Sequence, residues 1–255
     1  MTEPRIEICT DAEALAERAA ALIIEAAREA VTHRGRFLFV LAGGSTPEKT
    51  YRLLAGPERC HAIDWAKTVI FFGDERFVPP EDPASNFGMS NRALLSKIAI
   101  PPAQVLAVPT AEKSSAAAAA ACSRELGRVF NQAPDSLPLP RFDLVLLGLG
   151  DDGHTASLFP GKAALHVHDR WVTASPPGVL PPPVERITMT FPVLNAARQI
   201  VFLVAGGKKA AVVREILDES PGVEKYPAAG IVPVNGTLTW LLDRTAASQL
   251  SPRRR

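Results

Sequence analysis

The sequence predicts an α/β sandwich built around a mostly parallel sheet. Four apolar runs of strand length, Phe37 to Ala42, Thr68 to Phe72, Leu144 to Leu147 and Gln199 to Ala205, are near-continuous instead of alternating, as in strands buried on both faces. Glycine and a polar cluster follow these runs. Segments with helical spacing separate them, so strand and helix alternate along the chain. In such sheets the strand carboxyl ends share one edge, and ligands bind there.

The elements follow in order. Ile6 to Cys9 is a short strand, and Thr10-x-x-Glu13 reads as a capping box for a long helix with Leu15, Ala19, Leu22, Ile23 and Ala26 on its apolar face. Gly35 ends that helix. The next strand runs into Gly43, Gly44, Ser45 and Thr46, with Pro47 suited to a first helical turn. Two readings of this turn stand side by side. Its glycines and hydroxyls suit an anion at a helix N-terminus, while Ser45-x-x-Glu48 suits a plain capping box. The strand from Thr68 ends at Gly73, with Asp74, Glu75 and Arg76 at its carboxyl end. Ser85 and Asn86 cap a helix reaching Lys97.

Residues 112–131, rich in alanine, form a structural helix, and 131–140 a proline-containing connection. Trp171 to Ala174 and Arg186 to Thr190 are strand candidates on either side of a stiff proline loop at 176–183. After the strand from Gln199 come Gly206, Gly207, Lys208 and Lys209, then a helix to Leu217. Ile231 to Val234 is expected to be a short final strand, followed by a last helix carrying Trp240 and Asp243. Residues 1–250 are expected to form one domain and 251–255 a frayed basic tail.

Composition narrows the partners. With 255 residues, 47% of them hydrophobic, the chain can bury a sizeable core. The 28 Lys plus Arg nearly balance 27 Asp plus Glu, so no global field favours nucleic acid or an anionic membrane. Three scattered cysteines without a CxxC pair argue for a reducing compartment and against a disulfide frame or zinc site. No secretory leader or membrane-spanning run is read at the start or elsewhere, and the expected setting is cytoplasmic.

The chemistry centres on the turn after Leu147. Gly148, Gly150 and Gly153 free the backbone just where Asp151, Asp152, His154, Thr155 and Ser157 gather. Gly148-x-Gly150-x-x-Gly153 matches a dinucleotide fingerprint, but Asp151 and Asp152 would occupy the place of an uncharged pyrophosphate cradle. His154 is therefore the candidate for chemistry, with an imidazole's ordinary pKa of about 6.5 suited to proton transfer. His166 and His168 lack a nearby third ligand, and Trp65, Trp171 and Trp240 read as packing. Topology gathers Ser45, Thr46, Asp74, Arg76, His154 and Lys208 at one crevice.

Several separated motifs together resemble the 6-phosphogluconolactonase family: Gly43-Gly-Ser-Thr-Pro47, Gly73-Asp-Glu-Arg-Phe-Val-Pro79, Ser85-Asn86, Gly150-x-x-Gly-His-Thr-Ala-Ser-Leu-Phe-Pro-Gly161, Arg186-Ile-Thr188 and Gly206-x-Lys208. They run in order over nearly the whole chain. The resemblance implies a Rossmann-like fold related to glucosamine-6-phosphate deaminases and ribose-5-phosphate isomerases. It also implies hydrolysis of 6-phospho-D-glucono-1,5-lactone to 6-phosphogluconate, the second step of the oxidative pentose phosphate pathway, without metal, nucleotide or other cofactor. His154 would activate a water, and Asp74 or Asp152 would orient the histidine or the water. Gly43, Gly44, Ser45, Thr46, Arg76, Asn86 and Lys208 would bind the sugar phosphate, with Arg76 at either the phosphate or the lactone end. The expected partner is this small sugar-phosphate lactone, with no nucleic acid or membrane, for a monomer or small homo-oligomer.

The related deaminases resemble this turn but carry a Glu after the histidine. Gly153-His-Thr-Ala-Ser-Leu-Phe-Pro160 has none, which argues against amine elimination. A non-catalytic sugar-phosphate sensor would keep the phosphate loop and Lys208 without needing His154.

Overall fold

The structure is a computed structural model and describes residues 3–179, 182–219, 221–252 and 254. Its centre is a six-stranded sheet in the order β1-β9-β8-β5-β2-β3, formed by β1 (Arg5–Cys9), β2 (Phe37–Leu41), β3 (Thr68–Phe72), β5 (Leu144–Leu147), β8 (Gln199–Val204) and β9 (Thr237–Asp243). Every pairing in it is parallel. The remaining strands, β4 (Asp74–Arg76), β6 (Val172–Ser175) and β7 (Arg186–Met189), make a small antiparallel sheet in the order β4-β7-β6. The expected α/β fold around a mostly parallel sheet is the one observed.

Strand pleating divides the core into two faces. Phe37, Phe39 and Leu41 of β2 and Leu144 and Leu146 of β5 join one cluster with Leu15, Ile23, Tyr51 and Leu54. These last four come from α1 (Ala12–Arg34) and α2 (Ser45–Leu54). Leu38, Val40, Val145 and Leu147 point the other way and join Trp171, Ile187 and Val213. Side chains alternate across a strand with a period of two, so a run apolar throughout supplies both layers. Both faces also receive helices, including α3 (Asn86–Ala93), α4 (Ser115–Phe130), α5 (Phe191–Asn195) and α6 (Ala210–Arg214).

Several expectations need correction. The last apolar segment is strand β9, not a helix, and Ile231 to Val234 is not a strand. β9 lies between β1 and β8, and Trp240 stacks on Phe202 with ring centroids 4.0 Å apart. Pairing on both sides decides the conformation of a seven-residue apolar run whose periodicity alone does not. The α1 cap is Asp11, whose Oδ1 accepts the Ala14 N–H at 2.8 Å, and Thr10 donates to Asp11 instead of capping. A carboxylate gains more than a hydroxyl at the positive helix end. Gly44, not Ser45, is the N-cap of α2, and Glu48 pairs with Arg52 at 2.6 Å. The helix after Lys209 is α-helical only to Arg214 and π-helical over Glu215–Glu219.

Ser251 binds the Asp218 carboxylate and Arg254 pairs with Glu3, so the tail is tied at two points instead of frayed; Arg253 and Arg255 lie outside the described residues. Of the proline loop, Leu180 and Pro181 also lie outside them. Among the described residues no helix is long and apolar enough to cross a membrane.

β3 follows β2 on one side of the sheet, whereas β5 lies on the other. The order in which strands are added therefore reverses between β2 and β5, the switch point at which open parallel sheets leave a crevice beyond the strand carboxyl ends.

Candidate active site

Three turns build the crevice. At the end of β2, Tyr51 of α2 reaches back so that its hydroxyl donates to the Ala42 carbonyl at 2.9 Å and accepts the Ala42 N–H at 3.0 Å. The phenol is fully buried, which pushes its pKa far upward and keeps it a neutral pin. Gly44 takes a φ of 106°, open to glycine, and starts α2 without a side-chain cap. The first-turn amides of α2 thus face the crevice end with the helix dipole behind them. A Cβ on Gly43 would lie 1.9 Å from Asn86 Oδ1, so only glycine lets the β2 turn and α3 approach this closely.

The second turn continues from β3 through Gly73 into β4. Glu75 is buried and gathers the start of α3: its Oε1 accepts from the Arg76 and Asn86 amides, and its Oε2 from the Phe87 amide and Ser85 hydroxyl. Burial raises its pKa, opposed by those backbone hydrogen bonds. Asn86 is held in turn, its Nδ2 donating to the Asp74 carbonyl at 2.9 Å and carboxylate Oδ1 at 3.3 Å. Asp74 and Arg76 are left on the crevice side. Arg76 Nη1 donates to the Ala84 carbonyl at 2.6 Å, while its buried Nε has no partner among the described residues.

The third turn follows β5. Gly150 N–H donates to the His154 carbonyl at 2.8 Å, and the loop folds so tightly that a Cβ on Gly150 would lie 2.0 Å from His154 Nδ1. Gly153, at φ 76°, has the Tyr226 ring where its side chain would be. Within this turn His154 Nδ1 and Asp152 Oδ1 are 2.5 Å apart. Burial alone would raise the Asp152 pKa, but the hydrogen bond and charge of His154 outweigh it and hold the carboxyl below its usual value. An ionised Asp152 accepts only, so Nδ1 carries the hydrogen and Nε2 keeps the lone pair. The imidazole packs against Phe159 with centroids 4.7 Å apart.

Gly43, Gly44, Asp74, Arg76, Asn86 and His154 line one cleft of about 180 Å³ at the switch point. Asp152 joins them through the histidine. Ser45 and Thr46 open α2 immediately beyond Gly44 but do not line the cleft wall. Lys208 also stands outside the lining, exposed in the short 3-10 turn at the end of β8; its neighbour Lys209 pairs with Asp151. His166 pairs with Glu224 at 3.1 Å, and among the described residues no group of three or more His, Cys, Asp or Glu could hold a metal.

Two residues beside the cleft, neither lining it, were given no role of their own by the sequence reading. Arg186 is the register partner of Arg76 across β4 and β7, 4% exposed, and neither guanidinium has an ion pair among the described residues. Burial lowers the Arg186 pKa, and the Arg76 charge lowers it further. Two adjacent guanidiniums without a carboxylate partner suit an anion. Its position in a resembling motif was the only sequence signal for Arg186, since pairing of β4 with β7 is not legible locally. The other is Ser157, whose Oγ donates to Asp74 Oδ2 at 2.6 Å across 83 residues of sequence.

Known proteins are similar to this chain over nearly its whole length. A 6-phosphogluconolactonase of Nostoc sp. is 40% identical over 246 residues, covering 96% of this chain and 98% of the relative. A solved 6-phosphogluconolactonase from Trypanosoma cruzi superposes with a TM-score of 0.87 at 30% identity, covering 98% of this chain and 97% of that one. A monomeric glucosamine-6-phosphate deaminase, at 23% identity and a TM-score of 0.79 over 96% and 99% of the two chains, shares the fold. Residues 10–240 match the family described as glucosamine-6-phosphate isomerases/6-phosphogluconolactonase, and with the full-length similarity to the Nostoc protein this establishes that the chain belongs to that family.

Proposed function

We propose that the protein hydrolyses 6-phospho-D-glucono-1,5-lactone to 6-phospho-D-gluconate, with His154 as general base. The observation that carries this reading is the His154–Asp152 pair at the cleft wall, which leaves Nε2 free to accept a proton. Nε2 takes a proton from water as the water oxygen bonds to the lactone carbonyl carbon. The resulting imidazolium is stabilised by Asp152. When the tetrahedral intermediate collapses, the bond from carbon to ring oxygen breaks, and Nε2 returns the proton to that oxygen. Asp152 serves the histidine and Asp74, which faces the cleft, orients the water.

The phosphate is assigned to the α2 N-terminus with Ser45 and Thr46, to the paired Arg76 and Arg186, and to Lys208 at the rim. Gly43, Gly44 and Asn86 shape the sugar subsite. The chain acts on this small molecule in the cytoplasm as a monomer or small homo-oligomer, with no metal, nucleotide, nucleic acid or membrane. Product analysis tests the reading: acid release from fresh phosphogluconolactone and no ammonia from glucosamine 6-phosphate are expected. Ammonia release, or no acid above the spontaneous rate, would overturn it.

A further inference from the structure

Ser157 belongs to the same turn as His154 but does not line the cleft, and its side chain is fully buried. Its Oγ donates to Asp74 Oδ2 at 2.6 Å, and its backbone N–H donates to Thr188 Oγ1 at 3.2 Å. Thr188 is the residue directly opposite Asp74 in the β4–β7 ladder. Ser157 therefore grips the small sheet at both members of one cross-strand pair. The backbone is bent to allow this: Ala156 sits at φ 47°, where a side chain is rarely accommodated, and Thr155 and Leu158 close a bridge around it. Strain of this kind persists only where surrounding contacts hold it.

We propose that Ser157 is a positioning residue that fixes the direction of the Asp74 carboxylate in the reaction. The inference rests on the proposed role of Asp74 in orienting the attacking water. An aspartate has two side-chain torsions, and here each oxygen has its own donor: Ser157 on Oδ2 and Asn86, at 3.3 Å, on Oδ1. Hydroxyl-to-carboxylate bonds of this length are charge-assisted and strengthened by burial. The Asn86 bond is long, so the Ser157 bond dominates the orientation. One turn thus carries both the base and the group that aims the carboxylate facing it, so the two catalytic groups are indexed to each other through three residues of backbone.

The test compares Ser157→Ala, Asp74→Asn and the double variant. Ser157→Ala is expected to lower kcat roughly tenfold to hundredfold, with KM and the Kd for 6-phosphogluconate within about twofold of the parent. The double variant should be no slower than Asp74→Asn alone, because Ser157 acts only through that carboxylate. Ser157→Cys, which keeps the volume and a weak donor, should fall between parent and alanine, and it serves as the reading should the alanine variant not fold. Normal kcat in Asp74→Asn would overturn the role of Asp74 and this proposal with it. A slow Asp74→Asn beside a Ser157→Ala or Ser157→Cys of normal kcat would overturn the proposal alone. Multiplied losses in the double variant, or product affinity lost together with kcat, would do the same by marking a merely structural hydroxyl.

Discussion

Replacing Asp152 with asparagine tests the dyad most directly. The substitution keeps the volume but removes the charge that accepts the His154 Nδ1 hydrogen at 2.5 Å. A charge-assisted hydrogen bond is worth about 1.5–3 kcal/mol, so loss of imidazolium stabilisation alone slows turnover roughly tenfold to hundredfold. A second effect adds to it. The asparagine amide can present an N–H to Nδ1, which moves the ring proton to Nε2 and takes away the lone pair needed by the water. The upper bound is complete loss of a general base, about 10²–10⁴ in rate. Asp152→Asn is therefore expected to lower kcat by about 10² to 10⁴ while the Kd for 6-phosphogluconate changes little. The assay is alkali uptake at fixed pH on freshly prepared lactone, corrected for spontaneous opening. A kcat within threefold of the parent would refute the dyad and leave Asp74 as the only carboxylate with a catalytic role.

Three further outcomes are expected. His154→Ala should lose about 10²–10⁴ in kcat with product affinity retained; steady-state rates on fresh lactone and isothermal titration of 6-phosphogluconate check both. Lys208→Ala and Ser45→Ala should each raise KM for the phosphorylated lactone roughly tenfold to hundredfold with little effect on the unphosphorylated one; equal losses on both lactones would assign these residues to the fold. Asp143 is buried, accepting from Arg34 Nε at 2.7 Å and the Leu38 amide at 2.8 Å at the amino edge of the sheet, so Asp143→Ala should destabilise the protein by about 3–5 kcal/mol in urea unfolding.

The elements legible in the sequence were those whose cause is local. Four strands announced themselves because burial on both faces demands an unbroken apolar run, and Gly35 ended α1 in the left-handed conformation its position required. His154 and Asp152 were legible because they lie two residues apart in a glycine turn. What failed depends on pairing. Asp74–Arg76 is charged throughout and becomes a strand only because β7 supplies its partner. Thr237–Asp243 needs β1 and β8 on either side to be a strand. Ser157 meets Asp74 from a distant turn and Arg186 meets Arg76 across the β4–β7 ladder, and the choice of Asp11 over Thr10 as a cap turns on a single residue of offset.

The placement of β9 has a consequence for the order in which the sheet is completed. β1 stands at the sheet margin and, among the described residues, its one sheet neighbour is β9, with Ile6 opposite Trp240. The segment made early in synthesis thus waits for one made more than 200 residues later before its backbone amides are paired, a contact of very high sequence separation. Until then β8 also shows an open, apolar edge, since β9 fills the gap between them. Loss of residues 237–243 would not trim the margin of the sheet but remove an inner strand, separating β1 from the rest and exposing two unpaired edges of the kind through which chains associate.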